Sequence, residues 1–402
     1  MASLKSYRRV IGKENFEQLQ MKAENFSKNH ILCINSTYQG GGVAEMLNSM
    51  IPMFHDIGID FGWRILHGNP DFFKITKSFH NALQGDKINL SENRKNIYYE
   101  TNKRFSKFTH INNHDLVIVH DPQPLALVDF FEKRQPWIFR AHIDITHPNP
   151  ILWTYLKKFI EQYDHLVISM EKYKKELSIP QSVIYPAIDP LSPKNKKPSD
   201  NTISKTIAKH GINIERPIIS QVSRFDKWKD PLGVIRVFEL VRQKTDCQLV
   251  LLGAFATDDP EGQQIYEKVR KRVNKSKYRK DMTLLLNGTD VMVNCLQTAS
   301  SVVIQKSLRE GFGLVVSEAL WKGTPVVASN VGGIPLQVID SVNGFLYEPK
   351  DIRGFSESII KLLKDEKLRE DMGKNGKEHV RNNFLISRLM IDWLNLFEKY
   401  LV

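Results

Sequence analysis

Cysteine is scarce in this sequence, and long hydrophobic runs are missing. The three cysteines, Cys33, Cys247 and Cys295, lie far apart among 402 residues and show neither CxxC nor Cys/His metal spacing. They are typical of reduced core thiols in a cytosolic protein. No apolar run approaches the roughly 18 residues that a membrane helix needs, and the N-terminal segment lacks the apolar core of a signal peptide. We therefore expect a cytoplasmic protein that is neither exported nor anchored.

Three motifs that bind or activate substrates in other enzyme classes are also missing. The chain has no Asp-x-Asp clamp for a metal-bound diphosphate, no GxxxxGK[ST] loop and no GxSxG elbow. These absences remove the best evidence for a P-loop enzyme or an α/β-hydrolase. We expect no catalytic metal.

Positive charge is in excess, with a formal net charge of +12. Such a charge favours anionic partners, which could be nucleic acid, a membrane surface or phosphorylated small molecules. The densest basic stretch, 268–280, contains one aromatic residue and no nucleic-acid motif, and it is typical of a solvated helix face. We expect no nucleic-acid partner.

The length predicts two domains, because a single core usually stops growing at about 250 to 300 residues. Apolar runs of strand length alternate with helical segments, which is typical of α/β architecture with parallel sheets. Strands are predicted near 30–35, 61–66, 116–120, 137–141, 166–169 and 183–185 in the first half, and near 218–222, 248–252, 283–286, 302–305, 325–329 and 344–347 in the second.

A proline-rich stretch separates the two halves. Residues 185–205 carry four prolines among Lys, Ser and Asn, a composition that we expect to continue neither helix nor sheet. Interpreted as a linker, this stretch leaves a first domain over 1–190 and a second over 205–383. Apolar residues recur at helical spacing over 384–402, and we expect this helix to pack back on the first domain.

A glycine run follows the first predicted strand, in STYQGGGVAEML. Gly40, Gly41 and Gly42 permit positive φ and close approach of a ligand, and N–H groups at the start of the next helix attract anions. Glycine runs are common in surface loops, but the strand-glycine-helix context favours a position near a phosphate.

Two further strands of the first half end in polar residues. LVIVH runs into Asp121, and WIFRA runs into His142 and Asp144. Ligands of open α/β sheets bind at the carboxyl ends of strands, where a carboxylate and an imidazole could hold sugar hydroxyls or a developing positive charge. Singly, His120, His142 and Asp144 are typical of caps or satisfied polar groups. Their shared placement makes Asp121 and His142 candidates.

The second half opens with two cations just beyond a strand, Arg224 and Lys229 in SQVSRFDKWK. An Arg fork beside a Lys point charge suits a diphosphate. On spacing alone, a surface basic cluster is an equally good interpretation.

The most specific motif is REGFGLVVSEALWKGTPVVAS, in which Glu310 follows a strand and Glu318 lies on the next helix. A glycine-containing turn and a helix start separate them: Gly311, Phe312, Gly313, Leu314 and Val315. We expect the backbone N–H groups of the last two residues to hold phosphates, Glu310 to reach a sugar and Glu318 to reach a ribose. Alternatively, Glu318 is a charge partner of the helix N-terminus, but that leaves Glu310 unexplained.

These motifs resemble those of a known family. R-x4-K and E-x7-E resemble retaining GT-B glycosyltransferases of the glycogen-synthase-like superfamily. STYQGGGVAEML, HDPQPLAL, RAHIDIT, QVSRFDKWK, DDPEG and REGFGLVVSEALWKGTPV are similar to segments of the trehalose glycosyltransferring synthases, over about residues 30–385. The resemblance implies a GT-B fold, with two Rossmann-like, doubly wound parallel-sheet domains facing across a cleft. Ala141 replaces a cysteine of the family, but the following histidine is present.

The resemblance implies a role for each domain. In an acceptor-binding first domain, Asp121 would hold the acceptor sugar, His142 would lie beside the reacting centre, and the Gly40 to Gly42 loop would close on phosphate and acceptor.

In a donor-binding second domain, Arg224 and Lys229 would bind the diphosphate. Glu310 would bind the glucose hydroxyls, and Glu318 the ribose.

The implied reaction transfers glucose from a nucleoside-diphosphate glucose, in its ADP, UDP or GDP form, to the C1 hydroxyl of glucose. The product is α,α-trehalose with retained configuration. The resemblance implies that no cofactor is required. The leaving phosphate would itself accept the acceptor's proton, while the protein would stabilise an oxocarbenium-like state. The expected partners are these small molecules, and a homo-oligomer is compatible with the sequence.

Three alternatives stay open. Trehalose phosphorylase has the same fold and uses inorganic phosphate, although a ribose role for Glu318 favours the synthase. Another retaining GT-B enzyme with a different acceptor fits the same motifs. A non-catalytic binder of sugar nucleotides or nucleic acid would be expected to have lost part of the charged set, and all four of its residues are present.

Overall fold

The computed structural model describes residues 4–38, 42–254 and 261–402. Gly40, Gly41 and most of the DDPEG segment therefore lie outside the described residues. Within them, the chain forms two compact units, each built on a six-stranded sheet. Every strand pairing is parallel, and the predicted α/β class is confirmed. No helix in these ranges is long and apolar enough to cross a membrane.

The first unit contains the residues up to Pro186 and those from Ile386 onward. Its strands are β1 (His30–Asn35), β2 (Asp60–Ile65), β3 (Leu116–His120), β4 (Trp137–Arg140), β5 (His165–Ile168) and β6 (Gln181–Val183). They lie in the order β2-β1-β3-β4-β5-β6. Its helices are α1 (Leu4–Ile11), α2 (Lys13–Glu24), α3 (Gly42–Asp56), α4 (Pro70–Leu83), α5 (Glu92–Ser106), α6 (Pro150–Ile160) and α15 (Ile386–Leu401). Short 3-10 turns span Ile111–Asn113, Leu125–Phe130 and Glu171–Tyr173.

Local sequence signals start several of these helices. The side chains of Asn69, Ser91 and Asn149 accept backbone N–H groups at the starts of α4, α5 and α6. Proline is the first residue of α4 and of α6, where its missing N–H is harmless. Each of these helices buries side chains of one face, and those of α4 and α6 include Phe72, Phe79 and Phe159.

Strand register decides which face of the first sheet carries polar groups. Val119 and Phe139 are paired in register and belong to one hydrophobic core. The next pair in register is His120 and Arg140. Because side chains alternate along a strand, His120 and Arg140 lie together on the opposite face of the sheet.

Among the described residues, the second unit covers 187–254 and 261–385. Its strands are β7 (Ile218–Arg224), β8 (Gln248–Ala254), β9 (Met282–Leu286), β10 (Val302–Gln305), β11 (Val326–Ser329) and β12 (Gly344–Tyr347), in the order β12-β11-β10-β7-β8-β9. Its helices are α7 (Asp200–Lys209), α8 (Pro231–Arg242), α9 (Gly262–Asn274), α10 (Asp290–Ala299), α11 (Leu314–Trp321), α12 (Ile334–Gln337), α13 (Ile352–Lys364) and α14 (Glu366–Asn383). Short 3-10 turns span Lys227–Lys229 and Arg279–Asp281.

The predicted strands all occur, with shifts of one or two residues at several ends. The largest shift is in the sixth strand, predicted over 183–185 and found as β6, Gln181–Val183. Pairing continues slightly beyond β6, because the Ile184 N–H donates to the carbonyl oxygen of Ile168 at 3.0 Å.

The linker predicted over 185–205 is wrong at its C-terminal end. Helix α7 begins at Asp200, because the Ser199 side chain accepts the N–H of Thr202 and caps it. The preceding residues are also held: Asn294 on α10 donates to the carbonyl oxygens of Pro193 and Lys196 at 2.9 and 2.7 Å. This stretch is therefore a fixed part of the second unit.

Candidate functional site

In the second unit, the two cations and the first glutamate follow neighbouring strands. Strands β7 and β10 are adjacent, β7 ends at Arg224, and Glu310 follows shortly after the end of β10. Carboxyl ends of parallel strands meet at one edge of a sheet, which is where ligands bind in open α/β folds. The structure thus brings Glu310 and Lys229 together.

Glu310 is buried, 8% exposed, and lies in a group of polar side chains. Its Oε2 accepts the Lys229 ammonium, the Gln305 amide at 3.2 Å and the Ser307 hydroxyl at 3.1 Å. Gln305 also donates to Ser307 at 3.0 Å. A carboxylate that accepts hydrogen bonds from a cation and from neutral donors is fixed in position. We call these four residues the Glu310 cluster.

Sequence reasoning found two members of the Glu310 cluster and missed Gln305 and Ser307. A signal for Gln305 existed, since an amide closes an otherwise apolar strand, VVIQ, that is buried throughout. Ser307 carried no such signal.

Lys229 is not part of a surface basic cluster, because its side chain is only 16% exposed. It ends the turn Lys227–Lys229, which begins with the Asp226 side chain accepting the Trp228 N–H at 2.9 Å. Arg224 lies at the end of β7, more exposed, with its guanidinium 3.9 Å from the Asp226 carboxylate. Asp226 therefore contacts both Arg224, at the end of β7, and the turn that carries Lys229.

The glycine turn after Glu310 leads directly into α11. Gly313 has a φ of 84°, in the left-handed region that favours glycine, and precedes the first helical residue. Gln337 fixes the turn, since it donates to the Phe312 carbonyl oxygen at 2.6 Å and accepts the Ser317 N–H at 3.0 Å. The N–H groups of Leu314 and Val315 are the first of the helix and have no carbonyl partner within it. They form the kind of helix start that binds anions.

Gly332→Ala is expected to destabilise this unit and to lower its activity. An added Cβ at Gly332 would lie 1.7 Å from the carbonyl oxygen of Glu310, and the residue has a φ of 56°. A backbone atom cannot move aside without displacing Glu310. We expect a loss of roughly 1 to 3 kcal/mol beyond the strain of a positive φ.

Thermal unfolding and kcat would measure this effect against a matched control. Gly211 has a φ of 70° with nothing within 4 Å of an added Cβ. Gly211→Ala thus carries the backbone strain alone. Equal losses in the two variants would show that the close approach to Glu310 is unimportant.

Glu318 is the fifth residue of α11 and is 3% exposed. One of its oxygens lies 3.1 Å from the Lys194 ammonium, and the other lies 3.5 Å from the Gln297 amide. These side-chain contacts, rather than N–H groups of the helix start, hold the carboxylate. Lys194 comes from the stretch that the sequence predicted to be linker, and sequence reasoning did not find it.

Lys322, the C-cap residue of α11 one turn beyond Glu318, is half-buried. Its ammonium donates to the Glu318 carbonyl oxygen at 3.1 Å and to the Asn195 side chain at 2.9 Å. Burial lowers the pKa of Lys322 to about 7, although the Glu318 charge opposes the shift. Lys322 and Lys194 together attach the 187–199 stretch to α11.

In the first unit, Asp121 and His142 lie at one edge of the sheet, as predicted. The Asp121 carboxylate accepts the His142 backbone N–H at 2.8 Å, and the Asp121 N–H donates to the Arg140 carbonyl oxygen at 2.9 Å. Asp121 has a φ of 62°, a conformation that Asp tolerates better than most residues and that is common at functional sites. Asp121 therefore links the ends of β3 and β4.

The His142 ring contacts a second imidazole, that of His120. His120 Nδ1 lies 3.0 Å from His142 Nε2. Burial and the Arg140 charge lower the pKa of His120 to about 3 and lower that of His142, so both rings are neutral at neutral pH. Sequence reasoning treated His120 as a satisfied polar group, and the structure places it beside the candidate.

Two other predicted groups of the first unit have simpler surroundings. Asp144 accepts the Thr146 N–H at 2.9 Å and the Thr146 hydroxyl at 2.6 Å, which confirms its interpretation as a local cap. Gly42 is the first residue of α3. No group of three or more His, Cys, Asp or Glu in the described ranges could hold a metal ion.

Family models match most of the chain. Residues 33–175 match the model for the N-terminal domain of trehalose synthase, and residues 202–379 match the model for group 1 glycosyl transferases.

Curated relatives extend the match over the full length. Trehalose synthase of Thermococcus litoralis is 43% identical, with 99% of this chain and 97% of that protein covered. Trehalose synthase of Rubrobacter xylanophilus is 44% identical, with the same coverage. Trehalose phosphorylase of Grifola frondosa is 28% identical and matches 93% of this chain but 58% of its own length.

Solved structures show the same fold. Sucrose-phosphate synthase from Thermosynechococcus elongatus matches with a TM-score of 0.71 at 18% identity, over 92% of this chain and 98% of that one. The UDP-forming α,α-trehalose-phosphate synthase from Burkholderia xenovorans matches with a TM-score of 0.71 at 13% identity, over 91% and 99%. The predicted GT-B class is confirmed. By its full-length identity to the curated relatives and the match of both family models, this chain belongs to the trehalose synthase family of glycosyltransferases.

Proposed function

We propose that this chain transfers glucose from a nucleoside-diphosphate glucose to the C1 hydroxyl of free glucose, forming α,α-trehalose with retention. The Glu310 cluster is the observation that carries the proposal. It joins a carboxylate, which accepts hydrogen bonds from sugar hydroxyls, to a lysine that can neutralise phosphate. The full-length relatives that carry the name trehalose synthase support the choice of product.

In the proposed reaction, the bond between the glucose C1 and the phosphate oxygen breaks as C1 bonds to the acceptor oxygen on the same face. The acceptor's proton passes to the leaving phosphate. Arg224 and Lys229 would stabilise the charge that develops on the diphosphate, and the helix start at Leu314 would add backbone donors. Glu310 would orient the glucose hydroxyls. Glu318, beside Lys194, would take the ribose.

The first unit would supply the acceptor side of this reaction. Asp121 would accept a hydrogen bond from an acceptor hydroxyl, and His142 would lie beside the reacting carbon. The left-handed conformation of Asp121 and its bond to the His142 backbone would fix both groups relative to each other.

Product analysis tests the proposal directly. The purified protein would be incubated with ADP-, UDP- or GDP-glucose and glucose, and the disaccharide identified by NMR. Trehalose and free nucleoside diphosphate are the expected products. Glucose 1-phosphate formed from trehalose and phosphate, without nucleotide, would instead identify a phosphorylase. If glucose is transferred only to an acceptor other than glucose, the proposed donor stands and the proposed product is wrong.

Activity is expected to persist in excess EDTA. The proposed site neutralises the diphosphate with Arg224, Lys229 and backbone N–H groups, and it needs no divalent ion. Initial rates of disaccharide formation with and without the chelator would measure this. A rate that falls on chelation and returns with magnesium or manganese would contradict the metal-free mechanism.

A further inference from the structure

Two imidazoles meet at the carboxyl edge of the first sheet, and the proposed function uses only one of them. The His120 and His142 ring planes differ by 11°, their centroids are 5.3 Å apart, and the nearest nitrogens are 3.0 Å apart. The distance between the two ring centroids exceeds the distance between the two nitrogens by about the width of one imidazole ring. The rings therefore lie side by side and share a proton in plane, rather than stacking face to face.

That proton can belong to either ring. Both rings are neutral, and a neutral imidazole has one N–H and one lone pair. If His120 donates from Nδ1, then His142 accepts at Nε2 and must carry its own proton on Nδ1. If His142 donates from Nε2, then His120 carries its proton on Nε2.

The surroundings of His120 distinguish these two arrangements. Within the described part of the chain, His120 Nε2 is buried and has no hydrogen-bond partner. A proton there would be a buried unpaired N–H, which is rarer in folded proteins than an under-satisfied acceptor. Arg140, paired with His120 in strand register, also favours a lone pair over an N–H on the neighbouring ring, because its charge is positive.

We infer that His120 is a positioning residue, whose Nδ1–H donates to His142 Nε2 and fixes His142 as the tautomer protonated at Nδ1. Among the residues that the structure describes, no protein group bonds His142 Nδ1, and His142 is only half-buried. His142 thus presents a neutral N–H donor to a ligand oxygen. That this ligand is a sugar beside the reacting carbon rests on the proposed function.

The tautomer can be measured on the full chain without substrate. The protein would be labelled with 15N-histidine, and long-range proton-nitrogen correlation spectra would show which nitrogen of each ring is protonated. The signals of His142 are identified by their loss in His142→Gln. We expect the proton of His142 on Nδ1 in the wild type.

Two variants separate positioning from packing. His120→Leu keeps an apolar side chain of similar size but removes the donor. Without the donor nothing fixes the tautomer of His142, so we expect part of the His142 population to carry its proton on Nε2. We also expect kcat to fall about ten- to a hundredfold, the size of effect known for partners that orient metal-bound imidazoles, and the donor KM to change little. His120→Asn keeps an N–H close to the position of Nδ1, and it should restore both the tautomer and turnover relative to His120→Leu.

The outcomes decide the inference separately from the proposed function. A wild-type His142 protonated at Nε2 overturns the inference, as does a tautomer unchanged in His120→Leu. If His120→Leu does not fold, loss of the Nδ1 tautomer in a folded His120→Asn also overturns it. The expected tautomers in a protein that makes no trehalose would support the inference and refute the proposed function.

Discussion

Replacing Arg224 and Lys229 together with alanine is expected to abolish measurable binding of nucleoside diphosphates. Each cation is proposed to make charge-assisted hydrogen bonds worth about 1.5 to 3 kcal/mol, so the pair corresponds to a loss of roughly a hundred- to ten-thousandfold in affinity. Loss of Lys229 also leaves Glu310, 8% exposed, without its cation. The Glu310 carboxylate would then lie near the diphosphate without the Lys229 charge between them, which adds to the effect.

Calorimetry with ADP, UDP and GDP would measure this loss. Arg279→Ala combined with Lys280→Ala is a matched control, because it removes the same charge from exposed positions of the same unit. The control should bind normally, apart from a small change in salt dependence. Equal losses in both double variants would mean that net charge, rather than this site, attracts the nucleotide.

The same assay distinguishes the two units. Asp121→Ala and His142→Ala should leave nucleoside-diphosphate affinity nearly unchanged while transfer is lost, since both residues are assigned to the acceptor and the reacting carbon. If either change weakens nucleotide binding as much as the Arg224 and Lys229 pair does, the division into donor and acceptor units is wrong.

Glu310→Gln should lower turnover by about ten- to a hundredfold, the effect of losing one charge-assisted hydrogen bond in the transition state. The glutamine has the shape of the glutamate, so Gln305 and Ser307 can still donate to its amide oxygen. Lys229 loses its ionic partner and stays available to phosphate. Nucleotide affinity should therefore be unchanged or slightly higher.

Glu318→Gln is the matched comparison, because both glutamates are buried beside a lysine. Its expected effect is the reverse: weaker nucleotide binding with a smaller change in kcat. Steady-state kinetics with calorimetry would separate the two patterns. An unchanged kcat in Glu310→Gln, with weakened nucleotide binding, would remove Glu310 from the sugar site.

The fold could be predicted because most of its strands are buried on both sides. Such strands are continuous apolar runs that polar and glycine-rich segments interrupt, so their positions are visible in the sequence. β3, LVIVH, and β10, VVIQ, were found with their observed bounds. The fixed spacing of the two glutamates around a glycine turn was equally visible.

The residues that escaped prediction make contacts set by register or by chain segments distant in sequence. His120 resembles any polar strand end until the pairing of β3 with β4 places Arg140 beside it. Lys194 lies in a stretch whose composition favours a loop, and only the folding of that stretch onto α11 brings its ammonium to Glu318. Composition and periodicity carry no information about such contacts.

Helix α15 belongs to the first unit although it follows the whole second unit in the chain. Its Trp393 and Phe397 are fully buried, and Phe397 lies against Phe26, Phe54 and Phe61. During synthesis on the ribosome, residues 187–385 can finish folding before α15 has been made, and until then this aromatic surface of the first unit stays exposed. The unit that is translated first is thus the last to be completed, and a fragment that stops at Pro186 would expose the surface permanently.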